Sequence, residues 1–218
     1  MFDQLIEFIK FIQNSEEIIK VGGLTLVTLI VYAETGLFFC FFFPGDYLLF
    51  TAGLLCGTGT FDVSIYTLTA FIWFAAVAGN STGFAFGRYV GQKLYEKEES
   101  IFFKKSHLTT TTKAFEKFGG KALIVGRFLP IVRTFAPILA GAARMKPLSF
   151  MIYNMIGATL WVFILVLAGY FLGQEYPQIV NYVEYIILAF IGVTSVAVIK
   201  SYITIRRQHR QNAKISSN

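Results

Sequence analysis

Four ionisable residues lie in stretches that are otherwise apolar: Glu34, Asp46, Arg127 and Arg133. The two acids fall within 21–57 and the two arginines within 122–143. Arginine stays protonated even when buried, and its planar fork gives paired, charge-assisted bonds to phosphate or carboxylate. A carboxylate shielded from water takes up a proton near neutral pH more readily than a solvated one. The set is therefore suited to binding an anion on the arginines while the acids carry a proton or a cation. The plainer alternative is that the four form ion pairs that hold the two stretches together, with Asp46 capping a helix after Pro44-Gly45. Helix starts after Gly45 and after Pro137 would add backbone N–H donors to an anion site. Asn80 and Asn154 are amides in two further apolar stretches, suited to helix–helix hydrogen bonds or to ligand contacts.

The elements that carry these residues belong to a membrane. Of 218 residues, 55% are hydrophobic and 15% charged, against about a quarter charged in soluble domains. The mean hydropathy is +0.60. Disorder is excluded by the 24 Phe and 11 Tyr. A disulfide scaffold is excluded because Cys40 and Cys56 sit inside apolar runs. A spanning helix needs roughly 20 apolar residues. The runs 63–87 and 148–173 meet this without a charge, and 179–199 meets it with the single acid Glu184. Residues 1–20 mix acids with apolar residues at a loosely helical period, which predicts an amphipathic or interfacial helix rather than a signal peptide.

The stretches 21–57 and 122–143 are different. The first is interrupted by Glu34 and by Pro44-Gly45-Asp46, the second by Arg127, Pro130, Arg133 and Pro137. A charge at mid-bilayer costs at least about 3 kcal/mol on the insertion scale, and proline stops or kinks a helix. Both read as helical hairpins that enter the membrane and turn back, at 34–58 and 122–143. Broken backbone is tolerated at that depth only inside protein or a wet cavity.

Basic residues set the orientation. The segment 88–121 has eight basic and four acidic residues, Arg144 and Lys146 precede 148–173, and the tail 200–218 is basic without an acid. The positive-inside rule places these three in the cytoplasm, the C-terminus included. Residues 122–143 then begin and end on one side. The halves also echo each other: a hairpin, then Ala52-Gly53 or Ala140-Gly141, then a helix bearing Asn80-x-x-Gly83 or Asn154-x-x-Gly157. The fold class is an all-α integral membrane protein, an inverted repeat with two facing re-entrant hairpins packed against transmembrane helices.

Gly79, Gly83 and Gly87 recur at four-residue spacing and form a small-residue stripe that lets another helix approach. Arg88 lies at the inner boundary, to anchor the helix or reach a lipid headgroup. Trp73 and Trp161 read as packing or interface residues. His107 and His209 have no partner at metal-ligand spacing, so no metal site and no cofactor are expected. A phosphate-binding loop with a following Lys-Ser/Thr is missing, and with it a site for ATP. The basic tail is expected on anionic inner-leaflet lipid, not on nucleic acid.

At these hairpins the sequence resembles the DedA family of membrane proteins, also described as SNARE-associated or VTT-domain proteins. The resemblance covers about residues 30–175. It is carried by Glu34, Phe43-Pro44-Gly45-Asp46, and Gly79-Asn80 through Gly87-Arg88-x-x-Gly91. It continues in Gly126-Arg127-Phe128-x-Pro130-x-x-Arg133, Pro137-x-x-Ala140-Gly141, Met145, Phe150, Asn154, Gly157 and Trp161. The resemblance implies a multi-pass protein of the bacterial inner membrane that returns undecaprenyl phosphate or another phospholipid across the bilayer, in some members with the proton-motive force. Glu34 and Asp46 fall on the family's essential acids, and Arg127 and Arg133 on its essential arginines.

The expectation is therefore a transporter, not an enzyme, that moves a polyprenyl phosphate such as undecaprenyl phosphate from the outer to the inner leaflet. Arg127 and Arg133 would hold the phosphate and Glu34 or Asp46 would carry the proton. Asn80, Arg88 and Asn154 would support them, while Pro44, Gly45, Gly79, Gly83, Gly87, Pro130, Pro137 and Gly141 would form turns and packing contacts. An uncoupled scramblase, a membrane-embedded lipid-phosphate enzyme and a structural scaffold remain alternatives. The lipid identity, the driving ion and assembly as a homo-oligomer are left open.

Overall fold

Apolar runs of unequal length become helices of unequal length, and the short run at 45–57 is wrapped by protein. A computed structural model describes residues 15–37, 45–96, 120–128 and 130–178. All belong to the first of two units, Met1–Val180; the second, Asn181–Asn218, lies outside the described residues, as do Pro44, residues 1–14 and most of 88–121. The span expected at 179–199 and the basic tail are therefore also outside them. Every element described is an α-helix: α1 Ser15–Gly36, α2 Gly45–Gly57, α3 Ile65–Glu96, α4 Lys121–Gly126, α5 Pro130–Ala142 and α6 Pro147–Glu175.

Among the described residues, Ile65–Val90 and Pro147–Glu175 are long and apolar enough to cross a membrane. At 1.5 Å per residue, α6 is about 44 Å long, against a hydrocarbon core of roughly 30 Å. Its exposed side is apolar, with Ile152, Ile156, Phe163, Ile164 and Phe171 all open. Tyr66, Phe71 and Phe74 are similarly open on α3. An apolar outer face is what a helix needs when its solvent is lipid. By contrast α2 and α5 have 13 residues each, about 20 Å, too short to cross alone. Ten residues of α2, from Gly45 to Leu55, are buried.

Each short helix packs chiefly on the long helix of the other half, α2 on α6 and α5 on α3. Glycines make both crossings close. On α2, Gly53 faces the Val166 carbonyl and Gly57 the Tyr170 carbonyl; on α6, Gly169 faces the Phe50 carbonyl and Gly173 that of Leu54. A Cβ at any of the four would meet the partner's backbone. The other crossing sets Gly87 against the Ile138 carbonyl and Gly141 against the backbone of Phe84 and Arg88. Gly79 lies on Gly36 of α1, and Gly83 faces Gly36, Pro137 and Ile138. The glycine stripe of α3 thus receives two helices.

The larger apolar cluster joins Val27 and Val31 of α1, Leu48, Leu49 and Leu55 of α2, Leu68 and Ile72 of α3, and Trp161 and Val166 of α6. A second holds Phe84, Leu123, Ala136, Ala140 and Phe150, with the rings of Phe84 and Phe150 stacked at 4.1 Å between centroids. Three details differ from the sequence reading. Helix α1 is interrupted at Gly23, whose φ of 54° only glycine adopts freely. Glu34 lies in the last turn of the long α1 rather than opening a hairpin of its own. Pro137 stands inside α5, which starts at Pro130, so no helix begins after Pro137. The chain turns instead at Arg127–Phe128.

The crossing geometry predicts that Gly169→Val separates α6 from α2 and lowers stability by about 1–3 kcal/mol. Ile164→Val, on the open face, is expected to change it by under about 0.5 kcal/mol. Thermal unfolding in detergent compares the two.

Candidate functional site

The four charged residues come from four different elements and meet in the interior. Glu34 closes α1, Asp46 is the second residue of α2, Arg127 follows α4, and Arg133 is in the first turns of α5. Arg133 Nη2 pairs with Glu34 Oε1, and Nη1 donates to Asp46 Oδ1 at 2.5 Å. The Arg133 and Glu34 side chains are 2% and 0% exposed, while that of Asp46 retains 21%. Gly45 makes the contact feasible, because a Cβ there would run into the Glu34 carboxylate. Asp46 Oδ1 also accepts from Trp161 Nε1 at 2.8 Å. Its carboxylate is thus directed across the fold to α5 and α6.

Trp161 is where the sequence reading fell short. Expected as packing, it is buried with the Arg133 guanidinium 4.9 Å and the Arg127 guanidinium 5.8 Å from its ring centroid. Both distances lie within cation–π range. The available signal was spacing: Asn154, Gly157 and Trp161 recur at three and four residues, on one face of α6. Trp73, the other tryptophan, donates to Thr159 Oγ1 at 2.9 Å and ties α3 to α6.

Arg127 has a different environment. It is 1% exposed, and its Nη2 donates to Asn154 Oδ1 at 2.6 Å and to the Ala76 carbonyl at 3.4 Å. Asn154 Nδ2 donates to the Val77 carbonyl at 3.0 Å, which fixes the amide. Asn80 Nδ2 donates to Asn154 Oδ1 at 3.1 Å. Turned over, the Asn80 amide gives up that bond, donates instead to the Thr35 carbonyl at 3.1 Å and offers its oxygen to Arg127 Nη2 at 2.6 Å. Gly157 leaves room for the side chain, since a Cβ there would stand 3.3 Å from Arg127 Cδ. The two asparagines therefore link helices and also position a charge.

The supporting residues divide. Asn80 and Asn154 join the cluster, whereas Arg88 is exposed and donates to the Met145 carbonyl at 3.5 Å. Gly79, Gly83, Gly87 and Gly141 serve helix packing. Pro130 opens α5, and Pro44 lies outside the described residues. Two acids and two arginines balance formally, but both acids lie on Arg133. Among the described residues, Glu34 Oε2, Arg127 Nε and Nη1, and Arg133 Nε are buried without a hydrogen-bond partner.

Long helices with apolar outer faces, closed around a core of paired charges, define a helical membrane protein. Residues 43–171 match the VTT domain. Over 214 residues the chain is 37% identical to Protein DedA of Escherichia coli K12, covering 96% of each. It is 38% identical to the uncharacterized membrane protein Rv0364 of Mycobacterium tuberculosis H37Rv, over 84% of this chain and 80% of that one. Inner membrane protein YqjA of E. coli K12 is 32% identical over 70% of this chain and 68% of its own length. No solved structure matches. The chain belongs to the DedA family of VTT-domain membrane proteins.

Removing one partner of a buried ion pair strands the other. Arg133→Gln is expected to cost about 3–5 kcal/mol. Adding Glu34→Gln should restore part of this, because the acid left behind, Asp46, is partly exposed. Denaturant unfolding of the single and double variants in detergent measures the difference. In the same assay Trp161→Phe, which keeps a smaller aromatic ring and loses the bond to Asp46, should cost at least about 1.5–3 kcal/mol.

Proposed function

We propose that this protein is a transporter that moves a phosphate-bearing polyprenyl lipid, of the undecaprenyl phosphate type, from the outer to the inner leaflet with proton coupling. The observation that carries the reading is the buried cluster of Arg127, Arg133, Glu34 and Asp46. A lipid phosphate crossing a bilayer needs positive charge held at depth, and the guanidinium pair supplies it. The acids give the return step a proton to take up outside and release inside.

The architecture behind this proposal is an inverted repeat with two facing re-entrant hairpins. It is supported by the shortness of α2 and α5 and by the reciprocal glycine crossings, α2 on α6 and α5 on α3. Asn80 and Asn154 meeting from corresponding places in the two halves supports it as well. The hairpins would dip from opposite faces of a bacterial inner membrane, with the basic C-terminal tail in the cytoplasm on anionic lipid. Membership of the DedA family agrees with a multi-pass protein.

The test is translocation of fluorescent undecaprenyl phosphate in proteoliposomes with and without an imposed pH gradient. Movement that the gradient biases, and that Arg133→Ala and Glu34→Gln each reduce at least about 10-fold, is the expected result. Equal movement in both directions without a gradient indicates a scramblase. A rate untouched by both substitutions in folded protein rejects these residue roles.

A further inference from the structure

The two arginines differ in what neutralises them. Both terminal nitrogens of Arg133 are taken by carboxylates, Glu34 on Nη2 and Asp46 on Nη1. Arg127 is as deeply buried, at 1% exposure, yet the partners described for it are neutral: the Asn154 amide oxygen and the Ala76 carbonyl. Turning over the Asn80 amide adds another neutral acceptor. Its Nε and Nη1, which carry three of a guanidinium's five N–H groups, face no acceptor among the described residues. A buried charge without a counter-ion is costly. The Trp161 ring, centred 5.8 Å away, offsets only part of that cost.

The surroundings hold the guanidinium in this condition. Asn154 is fixed through Nδ2 on the Val77 carbonyl, so its oxygen stays turned to Arg127. Gly157 is open to the arginine side chain where any other residue would crowd it. An amide at position 154 orients the cation without cancelling its charge. A carboxylate of nearly the same shape would orient it and cancel it. Arg133 has already met that second fate.

We infer that the two arginines do different work: Arg127, set by the Asn154 amide, is the seat for a phosphate oxyanion, while Arg133 is closed by Glu34 and Asp46. The lipid source of the phosphate rests on the transport reading above; the seat itself rests on the partners of Arg127. The chemistry needed is an oxyanion that accepts from Nε and Nη1, which a lipid monophosphate and free phosphate both provide.

The experiment is equilibrium binding to the full chain in detergent, with inorganic phosphate and a short-chain prenyl monophosphate as separate probes. Binding of either probe by the wild type is expected. Binding of the prenyl phosphate alone assigns the lipid source, and binding of inorganic phosphate alone assigns the free anion. Asn154→Asp places a carboxylate on Arg127 and should weaken binding at least 10-fold. Glu34→Gln removes a negative charge beside the site and should tighten binding severalfold. Should Asn154→Asp fail to fold, Arg127→Lys keeps the charge, loses the Nε donor, and is expected to weaken binding at least 10-fold. Three results overturn the seat: no binding of either probe, unchanged binding in the folded Asn154→Asp or Arg127→Lys protein, or a Glu34→Gln loss as large as that of Asn154→Asp. Lipid translocation that persists at the wild-type rate in Asn154→Asp rejects the seat and leaves the carrier standing. Phosphate binding that follows the expected pattern without lipid translocation rejects the carrier and leaves the seat.

Discussion

One guanidinium shared by two carboxylates is the contact on which the fold depends. Arg133 of α5 meets Glu34 of α1 and Asp46 of α2, so three elements from both halves of the chain converge on one side chain. In an apolar interior the fully buried Arg133 and Glu34 need their partners, since an isolated buried ion costs several kcal/mol. The triad therefore acts as a registry device. It specifies which faces of α1, α2 and α5 meet, where helix contacts among apolar residues alone would allow sliding. Trp161 adds α6 by donating to Asp46 while its ring lies near Arg133.

The glycines make this convergence sterically feasible. Lipid offers little hydrophobic drive for helices to associate, so close backbone approach and dispersion must supply it. Gly53, Gly57, Gly169 and Gly173 provide that at one crossing, Gly87 and Gly141 at the other. Gly45 works within the site itself, admitting the Glu34 carboxylate against the start of α2. Short helices packed in this way can carry charges on their inner faces that a lipid-facing surface could not. The long helices α3 and α6 meet the bilayer with open Phe, Ile and Tyr side chains.

The arrangement also separates two kinds of buried charge. The triad is compensated by ions and Arg127 by amides and carbonyls, although both sit within reach of one indole ring. Equal residue types thus acquire unequal availability. That difference arises from neighbours on α3 and α6, Ala76, Asn80 and Asn154, which lie far from Arg127 in sequence.

The sequence by itself determined the membrane class, the two long apolar helices, the intramembrane charges and the small-residue stripe. Each is a local property: composition, run length, or spacing at the helical period. The sequence also carried the family, since its motifs occur in order along most of the chain. Only the tertiary structure decided that Pro137 lies inside a helix, that Glu34 ends a long one, and that Trp161 lies near both arginines. It alone assigned both acids to Arg133 and an amide to Arg127. Proline within a short apolar run marks a turn or a kink equally well, and packing selects between them. Ion pairing depends on distances between helices, and residues about 90 to 100 positions apart have no spacing rule to connect them.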